Sequence, residues 1–305
     1  MRALLIGAVE GTRVAMHAIA AATGWELAGL LTLPAAHAAR HSDYADLAGD
    51  ASAFGASLIF GETGNEPQTI AAIRALKPDI SFVVGWSKLC GQALIEAAGG
   101  RMVAYHPAPL PRLRGRAAIP WTILLDEPVS ASTLFWARGG VDEGPILAQS
   151  FFLVSPEETA ASLYAKHMHA LRQALGALLP ELLMGDPPGM PQDPCLATYG
   201  ARRRPTDGEI DWHASADVIH RLVRAVGRPY PGAFTSLKNA RVRVWQTRVE
   251  PERSRHHAIP GQIVAVDSTA FAVSCGDGKL IWVTDHVCEA GPTPGLHAIL
   301  GARAT

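Results

Sequence analysis

Short apolar runs alternate with helix-patterned segments through the first half of this chain. Continuous apolar runs bounded by turn residues are typical of strands in a parallel sheet that helices cover on both faces. We predict strands at 4–6, 27–33, 57–60, 80–84, 102–105 and 132–136, with helices at 12–22, 68–76 and 92–98. Because ligands in such sheets bind beyond the carboxyl ends of the strands, residues that follow the strands are the first candidates for a site.

The pattern changes in the second half of the chain. A long helix is predicted from about 157 to 183, with Ser155 and Glu158 spaced as in a capping box. Many prolines and glycines then interrupt residues 185–206, which predicts a linker. Evenly spaced short strands, which indicate a small barrel, follow a helix at 215–226; they are predicted at 242–245, 261–266, 270–273 and 280–283.

These patterns predict two domains joined by the linker. The chain has 305 residues, more than a single core usually contains. The expected fold class is α/β, with a Rossmann-like parallel-sheet domain at 1–184 and a smaller OB-like β-barrel domain at 207–305.

Charge and composition argue against several classes of protein. With 27 basic and 28 acidic residues the formal net charge is −1, which gives no electrostatic reason to bind nucleic acid or an anionic membrane. Apolar runs stay well below the ~18 residues of a membrane span, and the apolar start is too short for a signal peptide.

Histidines 167 and 169 have no evident partner and are expected at the surface.

The cysteines are widely spaced, without a CxxC pair or the spacing of a zinc site. We therefore expect reduced and mostly buried thiols, no metal site, and a cytoplasmic protein. The four positions are Cys90, Cys195, Cys275 and Cys288.

The strongest chemical signal is His106, which ends an apolar run and precedes a proline-rich, basic segment that reaches Arg116. Prolines fix backbone φ and remove donors, so this loop has a defined shape. Later in the chain Asp142 stands between glycines. A histidine alone is more often structural, but a histidine and a carboxylate on two such loops can form a proton-handling pair.

The motifs around these two residues resemble the N10-formyltetrahydrofolate-dependent formyltransferases, which include methionyl-tRNA and amino-sugar formyltransferases. The family core contains Asn-x-His, then Leu-Pro-x-x-Arg-Gly, and later Asp-x-Gly-x-Ile-Leu. This chain has Ala104-Tyr105-His106, then residues 110–115, and then residues 142–147. The second half is also similar at 207–212, 219–225 and 229–234, so the resemblance covers nearly the whole chain.

The resemblance implies transfer of a formyl group from N10-formyltetrahydrofolate to an amine. It makes His106 the donor to the tetrahedral oxyanion or the acceptor of the amine proton, with Asp142 orienting its ring. Folate-binding positions, mostly through the backbone, are Gly85, Trp86, Ser87, Leu89, Gly139 and Val141. Acceptor-side positions are Glu10, Tyr105, Arg114 and Arg116, although a structural role for one of the two arginines is equally consistent with the sequence.

One position departs from the family pattern, because Ala104 replaces the asparagine that helps to polarise the formyl group. Removing an oxyanion donor from an enzyme costs about 10²–10³ in rate. Three accounts remain open. Another group, such as Ser87, Tyr105 or a water molecule, replaces the amide; or the chain runs a different folate-dependent reaction; or it binds folate without catalysis.

The acceptor is chosen from charge and from the segment 114–121. From residue 207 to the end there are eleven basic and ten acidic residues, a balance that argues against tRNA. The segment 114–121 is similar to the amino-sugar branch of the family. We therefore expect a nucleotide-linked amino sugar or another small amine as acceptor, with methionyl-tRNA and a catalytically silent folate-binding homologue as alternatives. A homodimer is left open.

Overall fold

The computed structural model describes residues 1–40, 43–238, 240–289 and 291–301. The chain divides into two compact units. The first unit contains residues 1–118, 128–154 and 164–201, and the second contains residues 119–127, 155–163 and 202–305.

Strands and helices alternate from the start of the chain. Up to residue 201 they are β1 (Arg2–Ile6), α1 (Glu10–Ala21), β2 (Glu26–Thr32), α2 (Ala48–Ala53), β3 (Ser57–Phe60), α3 (Pro67–Leu76), β4 (Ile80–Val83), α4 (Gln92–Ala97), β5 (Met102–His106), β6 (Arg114–Gly115), α5 (Ala118–Leu124), β7 (Val129–Trp136), β8 (Ile146–Leu153), α6 (Ala160–Met184) and β9 (Tyr199–Gly200).

The first unit is built on a seven-stranded sheet in the order β3-β2-β1-β4-β5-β7-β8. Strands β1 to β5 are parallel, as the sequence predicts, whereas β7 runs antiparallel to β5 and β8 antiparallel to β7. An apolar run predicts a buried strand but not its direction, and for that reason the reversal at β7 is not visible in the sequence. The parallel strands place the ends of β1, β4 and β5 at one edge of the sheet.

Helices cover both faces of this sheet. One apolar cluster joins Leu5 and Phe82 of the sheet to Ile19 of α1 and Leu175 of α6, all fully buried. A second cluster joins Leu4 and Ile6 to residues of α3 and α4 on the opposite face. Gly7 follows β1 at a point without room for a side chain, since a Cβ there would lie 1.9 Å from the Val84 carbonyl oxygen.

His167 is buried, so its expected surface position is wrong. It has no exposed area and lies on the buried face of α6, where its Nδ1 is 3.1 Å from Ser132 Oγ. Its Nε2 is buried without a hydrogen-bond partner. Leu163, His167 and Leu171 are all fully buried and lie four residues apart, which is the spacing of one helix face. The sequence therefore did contain a signal that His167 is buried.

The first part of the predicted linker, residues 185–201, pairs with strands of the first unit. We call these residues the strap. Within it β9 pairs with β6, and Met190 forms an isolated bridge with Ile146. Prolines and glycines interrupt a helical pattern, but extended backbone between them still forms hydrogen bonds with a neighbouring segment.

The expectation of mostly buried thiols is also wrong. All four cysteines are free, but only Cys275 is buried, and Cys195 in the strap is exposed. Loss of hydration raises the pKa of the buried Cys275 thiol to about 12 and that of the half-buried Cys90 thiol to about 11.

The second unit contains a separate antiparallel sheet. Its elements after residue 202 are α7 (Ala216–Val226), β10 (Ala233–Leu237), β11 (Ala240–Arg253), β12 (Ile263–Val266), β13 (Phe271–Ser274) and β14 (Lys279–Glu289). The five strands pair in the order β10-β11-β14-β13-β12. Ser215 caps α7, since its side chain accepts a hydrogen bond from Val218 N. The predicted fold class, an α/β unit followed by a smaller β unit, is confirmed. Among the described residues, no helix combines the length and the apolar character that crossing a bilayer requires.

The buried His167 gives a test of the fold through pH. Burial, with a smaller contribution from nearby His106, lowers the pKa of His167 to about 3. In the unfolded chain the pKa of histidine is about 6.5, so between these values the unfolded chain binds more protons and stability falls as pH falls. From pH 7 to pH 5 we expect a loss of about 2 kcal/mol from this residue.

Urea denaturation at the two pH values measures this loss. His167→Gln keeps a polar group for Ser132 and removes the titration, so its stability should depend less on pH than that of the wild type. His169→Gln, at an exposed position of the same helix, is the control and should keep the wild-type dependence. An unchanged dependence in His167→Gln would show that His167 is not held neutral in the fold.

Candidate active site

His106 ends β5 at the edge of the sheet where the parallel strands finish, and its side chain is 7% exposed. Its Nε2 is 2.7 Å from the Leu113 carbonyl oxygen, and its Nδ1 is 3.5 Å from Asp142 Oδ2. Both partners can only accept hydrogen bonds, so a ring that carries a proton on each nitrogen satisfies both contacts. The structure therefore brings together the two residues that the sequence predicts as a pair.

The Asp142 loop is shaped by close backbone contacts. Asp142 has a left-handed backbone with φ of +52°, and its Oδ2 accepts a hydrogen bond of 2.8 Å from Gly115 N. A Cβ on Gly144 would lie 1.6 Å from the Trp136 carbonyl oxygen, so this position requires glycine. The Asp-x-Gly spacing thus places the carboxylate on a loop that turns tightly against β7.

The turn after β4 carries four of the predicted folate-binding residues. Gly85 has φ of +71°, and a Cβ there would lie 2.0 Å from Val9 Cγ2. Ser87 is exposed, and its carbonyl oxygen accepts a hydrogen bond of 3.3 Å from Arg116 Nη1. Leu89 is 84% exposed. The Arg116 contact joins this turn to the loop that follows His106.

Trp86 and the Asp142 loop complete the predicted folate positions. The Trp86 indole N–H is buried without a hydrogen-bond partner. Gly139 is exposed, and a Cβ there would meet nothing within 4 Å. Val141 is 52% exposed next to Asp142. The turn after β4 and the Asp142 loop thus each expose an apolar side chain, and the turn also holds an unpartnered N–H donor.

Ala104 and Tyr105 face opposite sides of β5, as successive strand residues do. Ala104 packs against Leu110, Phe135 and Ile146 and shares its face with His106. The Tyr105 hydroxyl lies 3.0 Å from Ser132 Oγ on the other face, where burial raises its pKa. Tyr105 therefore does not lie beside His106, and of the side chains considered as replacements for the missing amide only Ser87 remains.

The two arginines of the loop differ in role. Arg114 is 3% exposed and donates hydrogen bonds to Gln192 Oε1 from Nε at 3.1 Å and from Nη2 at 2.8 Å. Its guanidinium is thereby engaged within the fold rather than offered to an acceptor. Arg116 is exposed and donates to the Ser87 carbonyl oxygen, and its acceptor-side role stays a prediction.

Glu10 is at the first turn of α1, beyond the carboxyl end of β1 and on the same sheet edge as His106. It forms an ion pair with Arg13, which also donates to Asp50 Oδ2 at 3.0 Å. Hydrogen bonding from Arg13 lowers the pKa of Asp50. Glu10 is thus part of an ion-pair network at the sheet edge where an acceptor is expected.

Comparison with known proteins agrees with this architecture. A family model described as formyl transferase matches residues 34–179, and one described as the formyl transferase C-terminal domain matches residues 203–299. The chain belongs to the formyl transferase family. The resemblance inferred from the sequence motifs is confirmed.

Solved structures show the same fold at low sequence identity. HypX from Aquifex aeolicus in complex with tetrahydrofolic acid matches with a TM-score of 0.66 and 18% identity, over 94% of this chain and 44% of that chain. An N-formyltransferase from Helicobacter canadensis, in complex with folinic acid and dTDP-3-aminofucose, matches with a TM-score of 0.65 and 17% identity, over 92% and 98% of the two chains. Methionyl-tRNA formyltransferase from Clostridium thermocellum matches with a TM-score of 0.59 and 17% identity, over 95% and 100%. This chain thus spans less than half the length of HypX.

Sequence reasoning missed one residue of the candidate site. Gln192 of the strap donates hydrogen bonds of 2.8 Å from Nε2 to the carbonyl oxygens of Asp142 and Gly144. It lies far from both motifs in the sequence, inside a segment predicted as a linker. A single polar residue among prolines carries no periodic signal, so its contact with the Asp142 loop is visible only in the folded chain.

Gly144 gives a direct test of the loop geometry. Gly144→Ala forces the Trp136 carbonyl and the Asp142 loop apart, and we expect a loss of about 1–3 kcal/mol of unfolding free energy. Gly139→Ala in the same loop has open space for its Cβ and should keep the wild-type stability. Chemical denaturation of both variants measures the difference, and equal stability would contradict the close approach at Gly144.

Proposed function

We propose that this formyltransferase moves a formyl group from N10-formyltetrahydrofolate to the amine of a small acceptor, a nucleotide-linked amino sugar. The observation that carries the proposal is the His106–Asp142 pair, with Nδ1 and Oδ2 3.5 Å apart at the carboxyl edge of the sheet. Ligands of open α/β sheets bind at this edge.

The residues around the pair fit a folate donor. A pterin ring needs apolar faces and backbone hydrogen-bonding groups, and the chain offers exposed Leu89 and Val141 with the backbone of two glycine-containing loops. The buried and unpartnered Trp86 N–H is one more donor in the same turn. Bound there, the folate would supply the formyl group, while the protein supplies position and charge.

The pair has two tasks in such a transfer. When an unprotonated amine attacks the formyl carbon, negative charge develops on the formyl oxygen and the attacking nitrogen becomes positive. The bond between the formyl carbon and N10 then breaks, the attacking nitrogen gives up a proton, and N10 takes up a proton and leaves as tetrahydrofolate. His106 Nε2 exchanges its 2.7 Å contact with the Leu113 carbonyl oxygen for a hydrogen bond to the developing charge, and Asp142 stabilises the ring while it carries a proton. Because His106 is nearly buried, these interactions act with little competition from water.

The acceptor is proposed from the solved relatives and from charge. The Helicobacter canadensis enzyme is described with dTDP-3-aminofucose, which is a nucleotide-linked amino sugar. The near balance of basic and acidic residues after position 207 supports a small acceptor over tRNA. Four unpaired cysteines agree with a reducing compartment, and we place the reaction in the cytoplasm.

Ala104 supports a second candidate function, a homologue that binds folate and does not transfer the formyl group. Its side chain packs against Leu110, Phe135 and Ile146, so this part of the site is apolar where the family has an amide. The two candidates predict different products from the same incubation.

Incubating the purified protein with N10-formyltetrahydrofolate and a panel of nucleotide-linked amino sugars, free amino sugars and simple amines separates them. We expect release of tetrahydrofolate that depends on an amino-sugar nucleotide, together with a formylated acceptor detected by mass spectrometry. Folate binding without tetrahydrofolate release across the whole panel would contradict the proposed transferase activity and favour a homologue that only binds folate.

The catalytic pair is tested by His106→Ala and Asp142→Ala, each of which should lower kcat by about 10²–10⁴ because general acid–base catalysis contributes that much. Circular dichroism should show an intact fold in both variants. His169→Ala, an exposed histidine on α6, is the matched control and should keep the wild-type kcat. Near-normal activity in either His106→Ala or Asp142→Ala would show that the reacting pair lies elsewhere.

A further inference from the structure

The side chain of Gln192 connects the two loops that carry the His106–Asp142 pair. On one side its Oε1 accepts two hydrogen bonds from Arg114, which is on the loop after His106. On the other side its Nε2 donates to the carbonyl oxygens of Asp142 and Gly144, each at 2.8 Å. All the hydrogen-bonding capacity of the amide is used, with two bonds accepted and two donated.

The strap that carries Gln192 is itself attached to both loops through its backbone. Toward the His106 loop, Arg114 N donates to Thr198 O and Arg116 N donates to Gly200 O, both at 2.9 Å. Toward the Asp142 loop, Met190 and Ile146 exchange backbone hydrogen bonds of 2.7 and 2.8 Å. Gln192 is therefore on a segment whose position is already set relative to both loops.

We propose that Gln192 is a positioning residue of the formyl transfer, which holds the Asp142 loop against the His106 loop so that the carboxylate stays beside the ring. The inference rests on the proposed function, because it takes His106 and Asp142 as the reacting pair. Gln192 does not itself contact the transferred group; it acts through Asp142.

Asp142 needs such support because its backbone is unfavourable by itself. A left-handed φ of +52° costs a residue with a side chain about 1–2 kcal/mol, less for aspartate than for most others. Strained positions persist when surrounding contacts determine them from several sides. Gly115 N holds the carboxylate and Gln192 Nε2 holds the carbonyl oxygen, so the residue is fixed at both ends.

The chemistry of the contacts requires an amide at position 192. Arg114 presents only donors and the Asp142 loop presents only acceptors, so the side chain between them must accept on one side and donate on the other. A glutamate would keep the contact with Arg114 but would place a carboxylate oxygen against two carbonyl oxygens. Gln192→Glu therefore keeps the contact with Arg114 and removes the contact with the Asp142 loop, at a nearly constant side-chain size.

The kinetic test uses Gln192→Glu, with Asp193→Asn as the control. Asp193 follows Gln192 in the strap, and its side chain accepts a hydrogen bond from Cys195 N within the same turn. For Gln192→Glu we expect kcat to fall about tenfold or more while KM for the folate stays within about threefold, as for loss of an interaction used in the reaction step. Asp193→Asn should behave as the wild type. Gln192→Asn, which keeps the amide but is one methylene shorter, should change kcat in the same direction and serves if the glutamate variant does not fold.

A double variant distinguishes positioning from general damage to the fold. If Gln192 acts through Asp142, then Gln192→Glu should cost little further rate in single-turnover assays of Asp142→Ala. The same full cost in both backgrounds would overturn the proposal, since the residue would then act independently of the carboxylate.

Hydrogen exchange gives a readout that does not need activity. The Gly115 amide donates to Asp142 Oδ2, so its exchange should accelerate at least about tenfold in Gln192→Glu and stay unchanged in Asp193→Asn. Unchanged protection at Gly115 would overturn the proposal. A wild-type protein that transfers no formyl group, combined with faster Gly115 exchange in Gln192→Glu, would reject the proposed function and still show that Gln192 positions Asp142.

Discussion

The contact between His106 and Asp142 is the constraint on which the rest of the site depends. The histidine is fixed at the end of a central strand, whereas the carboxylate is on a loop whose backbone is unfavourable by itself. A separation of 3.5 Å between their side chains must therefore be maintained across two segments that are not neighbours in sequence. Two hydrogen bonds link those segments: Arg114 donates to the Gln192 side chain, and Gln192 donates to the Asp142 carbonyl oxygen. The sheet edge therefore positions His106, and the strap positions the loop that carries Asp142.

The same geometry changes the meaning of Ala104. Because strand residues alternate between faces, Ala104 and His106 share a face, and Tyr105 is directed away from both. Apolar side chains pack against Ala104, so His106 is the polar group that β5 contributes to this side of the sheet. If an amide is not available there, stabilisation of a developing charge depends more strongly on the ring and on what orients it. The loss of one donor makes the position of Asp142 more important.

Much of this arrangement could be predicted from the sequence, since local patterns determine it. The parallel strands, the helix α7 and the two motifs follow from periodicity and residue type, and the motifs correctly place Asp142 beside His106. The direction of β7 and the contacts of Gln192 could not be predicted in the same way. Both depend on which segments meet in the folded chain, and neither composition nor spacing records that. Arg114 shows the same limit, because an arginine that binds a ligand and one that binds a neighbouring glutamine have identical sequence signals.

The most direct measurement is a crystal structure of the protein with a non-reactive analogue of N10-formyltetrahydrofolate and a nucleotide-linked amino sugar. The account predicts that the formyl carbon lies between the acceptor amine and the His106 ring, that Asp142 stays within hydrogen-bonding distance of that ring, and that a water molecule or the Ser87 hydroxyl fills the space beside Ala104. A folate bound with its formyl group away from His106, or an acceptor amine that does not approach it, would contradict the account.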